Sequence, residues 1–429
     1  MSSHLSRRRF VRQAAAAGAL PILCTSLASG KSPNEKLDVA VIGCGGRGAA
    51  NLAGVASENI VALCDVDARQ AKPAFEHYPK AKKYRDFRKM LGEIGNRIDA
   101  VVVSTPDHTH AAAAVTAMKM GKHCYCEKPM AHSVYEVRVM SDLAAKNKLA
   151  TQLGTQIHAE DNYRRAVELV QAGAIGPVSE VHVWFGGSSA GGDRPKETPA
   201  VPADLDWELW LGPAPHRPYH PCYLPGSWRR WWDFGCGALG DFGCHYMDLA
   251  FWALGLRHPA TIEAEGPPPH PEGTPAWCVI RYQFPARAGA PPVKLTWYDG
   301  GKRPALVQEG KVPNWQSAVL FVGAKGMLLA DYSRRQLLPE AQYKGFQPPP
   351  KKIPDSLGHH REWIQACKTG SPTTCNFDYS GALSEHVLLG NVAYRVGKRL
   401  EWDPVNLKAA NCPEADKFLR PKYREGWIL

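Results

Sequence analysis

The chain has 429 residues, 44% of them hydrophobic and 22% charged, with a formal net charge of +11. At roughly 150 residues per domain this length implies two or three domains of ordinary globular composition. It excludes wholesale disorder, a collagen-like repeat and a small disulfide-stapled scaffold. No stretch reaches about 18 uninterrupted apolar residues, so no conventional membrane span is expected.

The first element is an address. Ser6-Arg7-Arg8-Arg9-Phe10-Val11-Arg12 precedes an apolar run from Ala14 to Leu23, with small residues at Ser26 and Ala28. A charged stretch, a short apolar stretch and a small-residue region read as an export signal over residues 1–30. The paired arginines before Phe10 resemble a twin-arginine signal, which carries proteins already folded. A periplasmic or other extracytoplasmic location is expected. Residues 1–31 carry Arg7, Arg8, Arg9, Arg12 and Lys31 without a single acid, and they supply much of the positive excess. The rest is diffuse, with no block of five like charges, so no nucleic-acid partner is expected.

The chain has twelve cysteines, of which Cys24 falls in the signal. The eleven that remain cannot all pair internally. Cys64, Cys124 and Cys126 lie in strand-like runs and read as small buried hydrophobes. There is no C-x-x-C and no zinc-ligand spacing among them.

Leu37-Asp38-Val39-Ala40-Val41-Ile42 is a β-rich run, followed at once by Gly43-Cys44-Gly45-Gly46-Arg47-Gly48 and a helix-compatible stretch to Ala56. Strand, G-x-G-x-x-G and helix together form a dinucleotide fingerprint. The glycines permit a tight turn and close approach of backbone to a pyrophosphate, and the helix N-terminus offers free N–H groups. A second strand, Ile60–Cys64, ends in Asp65. A carboxylate at that distance accepts hydrogen bonds from ribose hydroxyls and repels a 2′-phosphate, which favours NAD over NADP. Ala100–Pro106 is a further buried strand, Ala111–Met120 a helix, and His123–Cys126 a strand ending in Glu127-Lys128-Pro129. Strands alternating with helices imply a parallel sheet, and residues 37–157 form the expected Rossmann domain. Thr105, Pro106, Asp107, His108, Glu127 and Lys128 fall at the carboxyl edge of that sheet, where ligands bind.

These residues resemble the Gfo/Idh/MocA oxidoreductase family. The matching pieces are the glycine loop, Thr105-Pro106-Asp107-His108-Thr109-His110, Glu127-Lys128-Pro129, and Gly237-Ala238-Leu239-Gly240-Asp241-Phe242-Gly243-Cys244-His245. The resemblance implies an α/β fold. A Rossmann domain is followed by a C-terminal α/β domain, residues 158–429, built on a large open, mainly antiparallel sheet through which members often form homo-oligomers. It also implies NAD(P) chemistry on sugars, cyclitols and related polyols.

Oxidising a secondary alcohol needs a hydride acceptor and a base near its working pKa. A lysine in a partly desolvated cleft beside a nicotinamide cation is pushed towards its neutral form, which suits Lys128. The stretch from Leu239 to Leu254 reads as a helix stopped by Gly255, and Asp241, His245 and Asp248 share one face of it. In the family an Asp-x-x-x-His pair on this helix joins the lysine around the reacting hydroxyl. That role falls to Asp241 and His245, with His245 relaying or accepting the proton. Asp241, His245 and Asp248 are metal ligands by type, but hydride transfer to NAD needs none, so no metal site is expected. His108 is expected beside the nicotinamide or ribose. His158 is expected at a strand end, in contact with substrate.

Residues 205–234 are dense in aromatics and basic residues, and prolines keep them from forming a regular helix or central strand. Trp228, Arg229 and Trp232 are the candidates for a substrate wall. A loop pinned by buried tryptophans, or a subunit interface, is the alternative reading. Beyond it, strands are expected at 178–185, 278–284, 293–298, 317–322 and 327–331, and helices at 161–172, 359–368 and 379–397.

The function expected is hydride transfer at a secondary alcohol of a sugar, cyclitol or glycoside, with tightly held, recycled NAD, because free NAD should be scarce outside the cytoplasm. Two alternatives stand beside it. One is a redox-neutral NAD-dependent glycosidase working by oxidation, elimination, water addition and reduction. The other is a non-catalytic, nucleotide-dependent carbohydrate-binding protein.

Overall fold

The computed structural model describes residues 35–287 and 289–429. The expected export signal lies outside the described residues. Strands β1 (Asp38–Ile42), β2 (Asn59–Cys64), β3 (Lys82–Tyr84), β4 (Ala100–Val103), β5 (His123–Cys126) and β6 (Thr151–Leu153) form one parallel sheet in the order β3-β2-β1-β4-β5-β6. All four residues of β4, Ala-Val-Val-Val, are buried, as expected of a strand covered on both faces. The strand order reverses between β1 and β4. The glycine loop, Ser104–Pro106 and Glu127–Lys128 therefore leave neighbouring strands at one carboxyl edge.

The crossover helices carry their own start signals. Asp67 and Asp86 accept from the N–H groups of Arg69 and Arg88, and Ser133 forms a reciprocal capping box with Glu136 ahead of Val134–Lys146. Each satisfies N–H groups that a helix start leaves orphaned.

The second sheet has nine strands. They are β7 (Val178–Trp184), β8 (Thr261–Glu265), β9 (Val279–Phe284), β10 (Val293–Tyr298), β11 (Ala318–Gly323), β12 (Met327–Ala330), β13 (Arg335–Leu338), β14 (Leu400–Asp403) and β15 (Lys408–Ala409). Their order is β13-β12-β11-β7-β10-β9-β8-β14-β15. All neighbours are antiparallel except β7 and β10. The connection from β7 to β10 holds more than a hundred residues, long enough for a parallel return.

The helix Gly237–Leu254 packs between Asp161–Gln171 and Phe377–Val396 and against the second sheet. Fourteen of its eighteen residues are buried, so it is apolar nearly all round. Gly255, with φ 59°, ends it in the left-handed conformation, which glycine adopts without a Cβ penalty. The segment 205–234 is irregular for most of its length, as its prolines dictate, but Trp207–Leu211 makes one short helix started by Asp206. All eleven described cysteines are unpaired, and ten of them are buried.

Candidate active site

A cavity of about 450 Å³ opens at the carboxyl edge of the first sheet. The glycine loop forms its floor. Gly43 and Gly46 have φ of 83° and 50°, and a Cβ at Gly43 would lie 2.7 Å from the Ser104 carbonyl oxygen. A Cβ at Gly48 would collide with the Gly43 carbonyl, so Gly48 lets the helix sit against the loop instead of facing the cavity. Gly45 and Gly46 face the cavity with Arg47 at its rim, and an added Cβ at Gly46 would meet nothing within 4 Å. Such a loop admits a pyrophosphate against bare backbone.

Asp65 also lines the cavity. Its carboxylate already accepts the Cys44 N–H (2.8 Å) and the Asp67 N–H (2.9 Å). Burial raises its pKa against the pull of those two donors. Each oxygen keeps a lone pair for a further donor, which suits a ribose hydroxyl. The residues present therefore fit NAD.

At the other end, the two sheets' domains contribute to one charge cluster. Lys128 donates from Nζ to the Asp241 carbonyl oxygen at 2.8 Å and also to Asp241 Oδ1. Arg229 Nε lies 3.0 Å from Asp241 Oδ2. Burial alone would raise the Asp241 pKa, but Lys128 and Arg229 together hold it below the usual carboxylate range. His245, one turn on, lines the same cavity. Burial, aided by the Lys128 charge, pushes its pKa well below the ordinary value, so the ring is neutral. Its Nδ1 is buried without a hydrogen-bond partner. Thr105, Pro106, Glu127 and Trp228 complete the sequence-derived residues around this space. Glu127 is held by Asn51 (2.9 Å) and Gln156 (2.8 Å).

The cavity also contains a group that the sequence placed at the sheet's carboxyl edge without giving it a role. Asp107, at the first position of the helix Asp107–Lys119, is 3% exposed and lines the wall. Burial raises its pKa to about 7, against the lowering influence of Arg229 and Lys128 and with Asp241 adding repulsion. Two cations thus face two acids, one of which titrates near neutrality. The sequence put Asp107 at the carboxyl edge of the sheet, but gave no sign of its burial among these charges. His110 was likewise given no role. Its nitrogens reach the Pro129 (2.9 Å) and Thr105 (2.8 Å) carbonyls, tying the lysine's loop to the start of that helix.

Besides Gly48, three expected contacts lie outside the cavity. His108 points the other way, its Nδ1 3.2 Å from the Phe234 carbonyl and its Nε2 3.0 Å from the Trp210 carbonyl. Burial lowers its pKa to about 4. His158 sits in a 3-10 turn, Gln156–Ala159, not at a strand end. It bonds Asp248 through Nδ1 at 2.9 Å and stacks on Trp252 with ring centroids 3.8 Å apart. Asp248 also accepts from Tyr379 OH (2.7 Å) and so parts company with Asp241 and His245. Trp232 lines a second cavity and donates from Nε1 to the His270 carbonyl at 3.1 Å.

Two family models match the chain. One, described as an oxidoreductase-family NAD-binding Rossmann fold, covers residues 37–155, and the other, an oxidoreductase-family C-terminal alpha/beta domain, covers residues 182–429. The chain belongs to the Gfo/Idh/MocA oxidoreductase family. It is 33% identical over 150 residues to inositol 2-dehydrogenase 1 of Saccharopolyspora erythraea, covering 34% of this chain and 44% of that protein. It is 31% identical over 165 residues to levoglucosan dehydrogenase of Pseudarthrobacter phenanthrenivorans, covering 37% of this chain and 33% of that one. The matches thus span less than half the length of these curated relatives. The WlbA dehydrogenase of Bordetella pertussis, solved with NADH and UDP-GlcNAcA, shares the fold at a TM-score of 0.62 and 15% identity, over 86% of this chain and 98% of that one.

Proposed function

We propose that this protein is an exported, NAD-dependent oxidoreductase acting at a secondary alcohol of a sugar or cyclitol, with its cofactor tightly held and reset in each cycle. The observation that carries the reading is the meeting of Lys128, from the first domain, with Asp241 and His245, from the second, at one end of the cavity that begins at the glycine loop. The sugar and cyclitol substrates named for the relatives favour the same chemistry.

When bound, NAD supplies the acceptor for the hydride of the carbinol carbon. The chain's own groups manage the proton. An ammonium has three N–H donors. Lys128 commits two of them to Asp241 and keeps the third for the substrate oxygen. Asp241 is fixed from both sides by Lys128 and Arg229, which holds Nζ in place. His245, neutral and enclosed, accepts the hydroxyl proton and returns it on reduction. Trp228 and Phe242 form the apolar wall that excludes water. The same reading includes a homo-oligomer assembled through the nine-stranded sheet, which light scattering on the purified protein checks.

The test is to release nucleotide from the purified protein by heat and assay it, then mix native protein with myo-inositol, levoglucosan and aldoses. The near-ultraviolet absorbance of NADH reports the reaction. Retained NAD that becomes reduced and is reoxidised by a second carbonyl substrate is the expected result. Glycoside cleavage from p-nitrophenyl glycosides with no net NADH would instead favour the oxidation–elimination cycle. Absence of both nucleotide and turnover would overturn the reading.

A further inference from the structure

The loop from Trp228 to Cys236 separates the candidate active site from a second cavity of about 240 Å³. Its walls include Trp232, Phe418, Tyr423 and Asn391, with Lys417 and Lys422 exposed at the rim. Arg395, from the last turn of the helix Phe377–Val396, is half-buried in this wall. Its guanidinium lies 4.9 Å from the Trp232 ring centroid and 4.1 Å from that of Phe418. It has no carboxylate partner among the described residues, and burial lowers its pKa to about 10.

The two acids in the cavity are already committed. Glu136 accepts the His132 (3.0 Å) and Ser133 (2.7 Å) N–H groups and the Tyr423 hydroxyl. Burial raises its pKa. Asp233 is paired with Arg217 and Arg194. His132, half-buried beside them, has its pKa lowered to about 3 by desolvation, with His108 and Arg395 adding to the effect, so it contributes no charge.

A guanidinium taken from water without an anion is costly, and two ring faces offset only part of that. They also fix its plane, leaving the donor edge free. A planar fork held in this way matches the two oxygens of a carboxylate or phosphate. We infer that this second cavity binds a compact organic oxyanion, a carboxylate or phosphate, with Arg395 as the bidentate donor and Lys417 and Lys422 attracting it to the rim. The inference is independent of the reading of the larger cavity.

Titration calorimetry of the full chain, at matched ionic strength, tests it with sodium phosphate, sodium glucuronate and neutral glucose. Saturable binding of at least one anion is expected, and none of glucose. Glucuronate alone would identify a carboxylate site, and phosphate alone a phosphate site. Arg395→Met should weaken that binding at least about tenfold, which is 1.4 kcal/mol, while the affinity for NAD stays unchanged. Arg395→Lys keeps the charge and loses the fork, and should show an intermediate loss. It also serves if the methionine variant does not fold. No saturable anion binding by the unaltered protein would overturn the inference. So would equal affinity in the Arg395 variants, since the anion would then sit at the glycine loop.

Discussion

The two cavities on either side of the loop from Trp228 to Cys236 differ in how their charges are balanced. In the larger, Lys128 and Arg229 face Asp241 and Asp107, two cations against two acids. In the smaller, Arg395 faces only aromatic rings, because Glu136 and Asp233 are engaged elsewhere. A balanced cluster with one acid near neutrality can pass a proton without leaving a bare charge. An unbalanced cation can only wait for an anion. The contrast explains why similar residue types, an arginine beside a tryptophan, serve different ends on the two sides of one loop.

The contrast breaks most visibly at Lys128. Lys128→Met should lower kcat/KM by on the order of a thousandfold with NAD still bound, whereas Arg395→Met should leave it unchanged. Steady-state kinetics on both variants decide this. Next in size is the cradle. Gly48→Ala drives a Cβ into the Gly43 carbonyl, and NAD affinity by calorimetry should fall by about a hundredfold, some 3 kcal/mol.

Asp107 sharpens the comparison through pH. Burial raises its folded-state pKa to about 7 from the ordinary carboxyl value of 3.8. Its contribution to stability is therefore complete below about pH 4 and is lost as pH rises towards 7. Asp107→Asn removes that loss. The variant should melt higher than the unaltered protein at pH 8, by roughly 2–5 °C, and the difference should shrink towards pH 4. The step near pH 7 in its kcat profile should also vanish. The smallest effect belongs to Trp232→Ala. Its ring lines the second cavity, so kcat/KM should stay within about twofold, against a substantial rise in KM for Trp228→Ala.

How much of this could be read from sequence follows from where each partner lies in the chain. The glycine loop, Asp65 and the Lys128 loop were legible because strand, turn and helix are contiguous. Asp241 and His245 were legible because one helix fixes their spacing. The fate of His108 depended on Phe234 and Trp210, more than a hundred residues away. His158 was misread because the strand stops at Leu153 and a 3-10 turn redirects its ring to Asp248 and Trp252. No local pattern tells Trp228 from Trp232 in an irregular segment, yet they fall on opposite sides of it. Asp107 became notable only when three separate segments brought Lys128, Arg229 and Asp241 beside it. The parallel pairing of β7 with β10 was hidden because more than a hundred residues separate the two strands.

The central claim is that an amine and an imidazole from different domains act as one unit on the same carbinol oxygen. A double-mutant cycle on the single-turnover reduction of bound NAD tests it most directly. Groups acting as a unit are strongly non-additive. Lys128→Met and His245→Ala should each slow reduction severely, and the double variant should be about as slow as the slower single. If instead the two losses multiply, or if either single variant reduces NAD at the rate of the unaltered protein, the account is contradicted.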